Sequence, residues 1–203
     1  MENTAAVDTV DRTRDRLLDT VVDLLESDGF DAVQLREVAR RARTSLSTIY
    51  KRYATRDELI LAAIERWMGE NYSGIGKHRR DPNEPLHPAM MRVIRAIFEP
   101  WEKHPEMLLA YFRVRSAPGG EKLHVRGFDP VVPIGKAVLS DVDPDFVADL
   151  EAILSSVVYG LVGRCREGHI AIADILPTLD RTVFLLTTGY EAGRRGGTSN
   201  APG

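Results

Sequence analysis

Cysteine is almost absent from this chain of 203 residues, in which Cys165 is the single example. One thiol excludes an intrachain disulfide framework and a zinc site built from several cysteines. Long apolar runs are scarce as well. The longest, residues 153–162, contains two serines and Gly160 and is too short to cross a bilayer, so we expect no membrane-spanning helix.

The chain also lacks the sequence patterns of common catalytic and targeting segments. None of its five histidines lies in an HExxH motif, and neither a G-x-S-x-G turn nor a glycine-rich phosphate loop is present. We therefore expect no enzymatic activity, no metal site and no cofactor, and a small helical enzyme is the disfavoured alternative. The N-terminal segment, MENTAAVDTVD, has no basic stretch followed by an apolar one, so we expect no secretory signal and a cytoplasmic location.

Positive charge is concentrated in one segment. The formal net charge is −3, yet residues 34–56 carry seven Arg or Lys residues and one Glu, which gives +6 there and leaves −9 for the rest. Such asymmetry is typical of a chain that meets DNA at one end. The alternative interpretation is a solvated basic face without a partner.

Apolar residues recur at helical spacing along most of the chain, and no segment alternates as a strand does. The sequence therefore predicts an all-α fold of about nine helices. We expect a three-helix helix-turn-helix domain at residues 11–56, a second helical domain at 57–193, and flexible tails at 1–10 and 194–203. The predicted helices cover residues 12–27, 34–42, 46–53, a segment that begins after Thr55, 86–103, 105–116, a segment that begins near Asp129, 143–166 and 174–190.

The helix predicted at residues 46–53 carries the most informative side chains. Within about two helical turns, it and its N-terminal cap offer hydroxyl groups and cations from Ser45, Ser47, Thr48, Tyr50, Lys51 and Arg52. Such a surface suits a polyanion that also presents hydrogen-bonding base edges, and duplex DNA has both properties. Ser45 is expected to cap this helix through the amide of Thr48.

The segment VARRARTSLSTIYKRYATRDELI resembles the DNA-binding region of the TetR family of transcriptional regulators. The residues that carry the resemblance are Ser45, Thr48, Ile49, Tyr50, Tyr53, Thr55, Arg56 and Leu59. The segment FDAVQLREVARRA further resembles the family's regulators of steroid and lipid catabolism. The chain departs from the family at Arg43, where the family often has glycine in the turn.

The resemblance implies a role for each residue of the basic segment. The helix that contains Thr48 and Tyr50 would enter the major groove, and these two side chains would contact phosphate or sugar. Lys51 would make a further backbone contact, and Arg56 matches the family's phosphate-binding position.

The remaining residues of the segment complete the predicted DNA site. Gln34 can donate to a phosphate at the start of the preceding helix. Base reading is then left to Leu46, Ser47 and Arg52, of which Leu46 could contact a thymine methyl group. Arg40 and Arg41 are expected to be solvated and are left out of the site.

The resemblance also implies a homodimer that binds a near-palindromic double-stranded operator, since one small module makes few contacts. The last two predicted helices, at residues 143–166 and 174–190, would form the dimer surface. They carry more apolar residues than one buried stripe needs. These apolar residues are Ile153, Val157, Leu161, Phe184 and Leu185. The alternative is that all five belong to the core of a monomer.

The second domain is expected to hold a small-molecule effector, because family members carry a ligand cavity there. Methionine and aromatic residues suit an apolar or acyl-CoA-like ligand, although ordinary core packing is the favoured explanation for any one of them. The selected candidates are Met90, Phe98, Trp101, Tyr111 and Tyr159. The resulting hypothesis is a repressor that its ligand releases from the operator. A constitutive DNA-binding or scaffold protein without a ligand is the alternative.

Overall fold

The computed structural model describes residues 2–72, 80–81, 83–117, 135 and 137–197. Within these ranges it contains eight α-helices, two short 3-10 segments and no strand, so the predicted all-α class is confirmed. The helices are α1 (Glu2–Asp28), α2 (Leu35–Arg41), α3 (Leu46–Tyr50), α4 (Arg56–Tyr72), α5 (Leu86–Lys103), α6 (Pro105–Arg115), α7 (Pro144–Arg166) and α8 (Ile175–Gly197). The start of the helix predicted near Asp129 falls outside the described residues, of which 135, 137 and 138 are helical.

Helix boundaries agree with the sequence where local signals are strong. The predicted bounds of α5 are those observed, and α7 begins at Pro144 after the cap residue Asp143. The Asp143 Oδ1 atom accepts hydrogen bonds from two backbone amides, 3.0 and 3.1 Å away, in the first turn of α7.

Three predicted boundaries differ from those observed. Helix α1 begins at Glu2 rather than at Arg12, and α8 continues to Gly197 instead of ending at Tyr190. Residues 2–10 contain neither glycine nor proline, so nothing in them stops the helix. Helix α3 is shorter than predicted and ends at Tyr50.

The chain forms two compact units. The first comprises Met1–Asn71 and His104–Asp129, and the second comprises Tyr72–Lys103 and Pro130–Gly203. These units follow packing rather than chain order, because α6 belongs with the first four helices. The predicted domain division at residues 56 and 57 stays a prediction.

The core of the first unit is built from the apolar stripe of α1 and the inner faces of the short helices. In α1 the fully buried side chains recur every three or four residues, as an amphipathic helix requires. They are Leu17, Leu18, Val21, Leu24 and Leu25. Ile49 of α3 and Leu59 of α4 are also fully buried. This core fixes α3 by one face only and leaves its other face exposed.

The second unit is held by packing between α5 and α8 and between α7 and α8. One carboxylate of α8 binds two side chains of α5: Asp180 lies 2.7 Å from His87 Nε2 and 2.7 Å from Arg95 Nη2. The hydrogen bond with His87, followed by that with Arg95, lowers the pKa of Asp180 below its usual value. The ring of Phe146 in α7 stacks on Tyr190 in α8 with centroids 4.0 Å apart.

Helix α7 is apolar enough, over a sufficient length, to meet the composition criterion for a membrane-crossing helix. It is the one helix of the described ranges that does so, with a mean hydropathy of 1.6 over 18 residues, of which 17% are buried. This criterion concerns length and composition alone, so the expectation of no membrane-spanning helix stays a prediction. What distinguishes α7 is its large exposed apolar surface.

Candidate nucleic-acid interface

Helix α3 is oriented by one buried side chain and one N-terminal cap. Ile49 is fully buried among the apolar residues of the first unit. Ser45 caps the helix, and its Oγ accepts a hydrogen bond from the Thr48 amide at 3.1 Å, as the sequence predicted. The opposite face of this single-turn helix is therefore held towards solvent.

The exposed face of α3 carries hydroxyl groups in mutual contact. The Ser45 Oγ lies 2.8 Å from the Ser47 Oγ and 2.8 Å from the Thr48 Oγ1. Beside them, the Tyr50 side chain is 56% exposed although aromatic. A hydroxyl has one donor and two acceptor positions, so Ser47, Thr48 and Tyr50 retain hydrogen-bonding capacity for a further partner, whereas the three contacts of Ser45 use its capacity in full.

Two of the predicted cations follow α3 rather than lying within it. Lys51 is exposed and its amide still donates to Ser47 O at 3.1 Å, so it continues the helical direction for one residue. Arg52 and Leu46 are half-buried. The predicted residues of the 45–52 segment are thus all exposed or half-buried, and their contacts with DNA stay a prediction.

Gln34 occupies the position immediately before α2. Its backbone is extended, with φ −94° and ψ 134°, and it serves as the N-cap residue without a side-chain cap bond. The Gln34 Nε2 instead donates to Asp31 O at 2.9 Å. One of the two amide hydrogens is therefore used inside the chain, and a phosphate contact would engage the other.

The Arg56 side chain, which the sequence analysis assigns to a phosphate, binds backbone carbonyl groups of its own unit. Its guanidinium donates hydrogen bonds to the carbonyl oxygens of Val33 and Phe30 and lies over the Phe30 ring. Burial, with a smaller contribution from Arg113, lowers the pKa of Arg56 below its usual value. A phosphate contact by Arg56 stays a prediction, but the observed contacts belong to the interior of the first unit.

Glu37 neutralises part of the basic segment. One Glu37 carboxylate accepts two hydrogen bonds from Arg40, at 2.9 and 2.6 Å, and one from Arg41, at 2.7 Å. These bonds lower the Glu37 pKa from 4.5 to about 2. The i,i+3 and i,i+4 spacing of the three residues could have predicted this cluster.

The predicted ligand residues have different environments. Met90, Trp101 and Tyr111 are buried, Phe98 is half-buried, and Tyr159 is 48% exposed. Tyr111 belongs to the first compact unit and the other four belong to the second. Their joint role as a ligand site stays a prediction.

Trp101 is engaged in a buried polar chain of the second unit. Its Nε1 donates to Tyr72 Oη at 2.6 Å, and the Tyr72 hydroxyl donates to Ile97 O at 3.2 Å. Both aromatic side chains are 1% exposed. This chain satisfies the polar atoms of two large core residues, so Trp101 also has a packing role.

The second unit contains an open polar cleft of about 400 Å³. None of the five predicted ligand residues lines it. Its lining residues are Arg80, Asn83, Glu84, Pro85, Leu86, Asp141, Val142, Tyr190, Glu191 and Arg194. Arg80 crosses this cleft and donates to Val138 O at 3.0 Å and Glu84 O at 2.9 Å. In the described residues, no group of three or more His, Cys, Asp and Glu side chains could hold a metal ion.

The helix-turn-helix arrangement and its basic face are typical of DNA-binding domains of the all-α class. Residues 17–63 match the family model described as bacterial regulatory proteins, tetR family, and residues 84–186 match the model described as tetracyclin repressor-like, C-terminal domain. The chain belongs to the TetR family of bacterial regulators.

Two curated relatives match part of the chain. It is 31% identical over 86 residues to the HTH-type transcriptional repressor KstR of Rhodococcus jostii, a match that covers 41% of this chain and 40% of that protein. It is 24% identical over 98 residues to the HTH-type transcriptional repressor NicS of Pseudomonas putida, a match that covers 48% of this chain and 46% of that protein. The chain thus spans less than half the length of these curated relatives.

Solved structures share the fold over most of the chain. A TetR transcriptional regulator from Rhodococcus sp. RHA1 superposes with a TM-score of 0.62 at 19% identity and covers 84% of this chain and 95% of its own. The regulator FadR from Bacillus subtilis, solved in complex with stearoyl-CoA, superposes with a TM-score of 0.58 at 15% identity and covers 86% and 97%. At these identities the likeness establishes the fold alone.

Proposed function

We propose that this protein is a transcriptional repressor that binds a near-palindromic DNA operator as a homodimer and responds to a small apolar effector. The observation that carries the proposal is the exposed face of α3, which holds hydroxyl groups on a capped turn and is followed directly by the cations Lys51 and Arg52. A helix of this kind fits the major groove of duplex DNA, and family membership supports the same activity.

The exposed cations and hydroxyl groups of the basic segment favour DNA over a generic acidic partner. Lys51, Arg43 and Arg36 are exposed, and their side chains form no ion pair with the described residues. Cations without internal partners are available to phosphates, and their neutralisation of DNA releases counterions. The adjoining hydroxyl groups supply hydrogen bonds that phosphates and base edges both accept.

Pairing of two copies is supported by the apolar surface of the last two helices. Ile153 and Tyr159 on α7 and Phe184 and Leu185 on α8 are exposed, and Leu185 is 70% exposed. A second copy that packs on this surface would bury it, as isologous dimers do. Two recognition helices could then meet half-sites one helical turn apart.

An acyl-CoA-like or other apolar effector is the proposed inducer. The FadR structure was solved with stearoyl-CoA and shares the fold, which supports a lipid-like ligand for the second domain. Selective binding of such a molecule to the DNA-free conformation would lower operator affinity. A cytoplasmic location agrees with this function.

The decisive experiment is selection of bound fragments from a random DNA library by the purified full-length chain. We expect an enriched near-palindromic sequence whose binding weakens with rising salt. Recovery of fragments without a shared sequence, together with the absence of salt-dependent duplex binding, would contradict the proposal. The matched comparison is the Lys51→Ala variant on the same library, which should bind all fragments more weakly without a change in the enriched sequence.

The effector is tested separately by thermal denaturation with and without stearoyl-CoA. A ligand that binds the native state raises the melting temperature, and an inducer also weakens binding to the selected DNA. An unchanged melting temperature at saturating acyl-CoA would contradict an acyl-CoA effector while leaving DNA binding intact. That outcome favours a constitutive DNA-binding protein or a different ligand class.

A further inference from the structure

We propose that Arg43, in the turn between α2 and α3, contacts a phosphate of the bound DNA. The inference rests on the proposed DNA-binding function and adds a residue that the sequence interpretation left out of the site. Three observations support it: the backbone conformation of Arg43, the absence of an internal partner for its side chain, and its position immediately before the recognition helix.

Arg43 occupies a backbone position that normally belongs to glycine. Its φ of +51° is the one positive value found at a non-glycine residue of the described chain. The Thr44 amide donates to Ala39 O at 2.9 Å and the Arg43 amide donates to Arg40 O at 3.3 Å. This pair of bonds is the Schellman motif, in which the residue after the C-cap adopts the left-handed conformation. Because a side chain disfavours that conformation, glycine is the residue expected here.

No internal contact compensates for this backbone strain. The Arg43 side chain is exposed and forms neither a hydrogen bond nor an ion pair with the residues that the structure describes. Strained residues that are kept in a fold are concentrated at functional sites. A ligand outside the chain is therefore the natural partner of this guanidinium.

The neighbouring arginines behave differently. Arg40 and Arg41 both bind Glu37, and Arg41 also lies 3.3 Å from Asp28. Their charges are matched within the first unit, whereas Arg43 presents a full positive charge at the turn that leads directly into the cap of α3. Since α3 is the helix that would lie in the major groove, the residue preceding its cap lies near the groove's edge, where phosphates are found.

The contact is assigned to phosphate rather than to a base. A guanidinium on an exposed turn has no rigid support for the bidentate geometry that base reading requires, whereas phosphates accept hydrogen bonds from many directions. The expected consequence is a contribution to affinity that is independent of sequence and sensitive to salt.

The test compares four variants with the full-length wild type on duplexes selected by the wild type from random DNA. Arg43→Gly and Arg43→Asn remove the charge while keeping residues that tolerate a positive φ, and Arg43→Lys keeps the charge. Arg40→Gln is the matched control, since it removes one neighbouring cation that is already paired with Glu37. Dissociation constants are measured by fluorescence anisotropy across a salt series, and melting temperatures are measured alongside.

We expect Arg43→Gly and Arg43→Asn to bind about eightfold more weakly per protomer at 0.1 M salt and to reduce the salt slope by about 0.9. Their melting temperatures should equal or exceed that of the wild type, which excludes unfolding as the cause. Arg43→Lys should retain most of the salt slope, and Arg40→Gln should lose clearly less affinity than Arg43→Gly and Arg43→Asn do.

Three outcomes would overturn the proposal. If the Arg43→Gly and Arg43→Asn variants bind as the wild type does, Arg43 makes no DNA contact. If Arg40→Gln loses as much affinity as they do, the effect is one of net charge alone. If the wild type selects no DNA and shows no salt-dependent duplex binding, the proposed function fails, and the role of Arg43 fails with it.

Discussion

The guanidinium carbon of Arg56 lies 4.4 Å from the centroid of the Phe30 ring, and the same guanidinium donates hydrogen bonds to the carbonyl oxygens of Phe30 and Val33. Arg113 approaches the same ring at 4.1 Å and binds Asp31 at 3.0 Å. The first residue of α4 and the last turn of α6 are thus both attached to the short connection that leads into α2. We therefore expect this cluster to help hold the connection between α1 and α2 in place.

We predict that Arg56→Ala lowers the stability of the first unit. The substitution removes two charge-assisted hydrogen bonds to backbone carbonyls and one contact with an aromatic face. The free energy of unfolding should fall by about 2 kcal/mol, and the melting temperature should fall by about 6 °C. Chemical denaturation followed by circular dichroism measures the change.

Lys51→Ala is the control for Arg56→Ala, because Lys51 is exposed and has no partner among the described residues. The control should keep the wild-type melting temperature. An Arg56→Ala protein of wild-type stability that has lost DNA affinity would instead assign Arg56 to a phosphate, as the sequence predicted.

Substitution of Lys51 is predicted to act on DNA binding alone. Because a lysine contributes a point charge to the phosphate backbone, Lys51→Ala should weaken binding to all duplexes to a similar degree and reduce the salt slope by about 1 for each copy of the chain. Anisotropy titrations of a selected and an unrelated duplex at several salt concentrations measure both effects. A loss confined to the selected duplex would assign Lys51 to base reading.

Ser47→Ala is predicted to change which bases are preferred rather than the overall affinity. The Ser47 Oγ lies 2.8 Å from the Ser45 Oγ, so the hydroxyl is oriented before DNA arrives and retains capacity for one further hydrogen bond. Removal of a base contact should cost about 1–3 kcal/mol at one operator position only. Sequencing of fragments selected by the variant checks this, and an unchanged preference would remove Ser47 from the reading set.

The sequence predicts those features of the fold that are decided by residues close together in the chain, such as helix caps and prolines. The boundaries of α5 and α7 follow from prolines and a capping aspartate that act within a few residues, and these boundaries are observed as predicted. The start of α1 carries no such signal, so the helix extends further than periodicity alone indicated. The grouping of α6 with α1 depends on contacts between distant residues, which helical spacing does not encode.

The same distinction applies to the candidate site. The Ser45 cap is local and was predicted, whereas the direction of Arg56 is decided by carbonyl groups 23 and 26 residues earlier in the chain. Motif position indicates a phosphate contact for Arg56, and only the folded connection supplies the competing acceptors. Family resemblance therefore predicts the segment that forms the interface, whereas contacts between distant residues decide which of its side chains are engaged within the fold.

Glu37→Gln is predicted to strengthen DNA binding. In the wild type the Glu37 carboxylate occupies Arg40 and Arg41, so its neutralisation raises the charge of residues 34–56 from +6 to +7 and frees two guanidiniums. Affinity for any duplex should rise and the salt slope should steepen. Equal affinities for both proteins would show that these arginines lie too far from DNA.

The Glu37 pKa also predicts a pH dependence of stability. It is lowered from 4.5 to about 2 in the folded chain, so the carboxylate contributes stability that is present above pH 4.5 and is lost as the pH falls towards 2. The stability difference between the wild type and Glu37→Gln should therefore shrink over that interval. Because the carboxylate is exposed to solvent, the difference should be small and decrease at high salt.

Leu185→Glu is predicted to convert the protein from a dimer to a monomer. Leu185 is 70% exposed on α8 and lies beside the exposed Phe184, so a charge there would have to be desolvated in any interface formed by this surface. Light scattering after gel filtration should give the mass of one chain for the variant and of two for the wild type.

The matched control, Ala173→Glu, places the same charge at an exposed residue outside α7 and α8 and should remain dimeric. Loss of the dimer should also lower affinity for a palindromic fragment far more than for a half-site. If the Leu185→Glu protein remains dimeric, the interface lies on another surface.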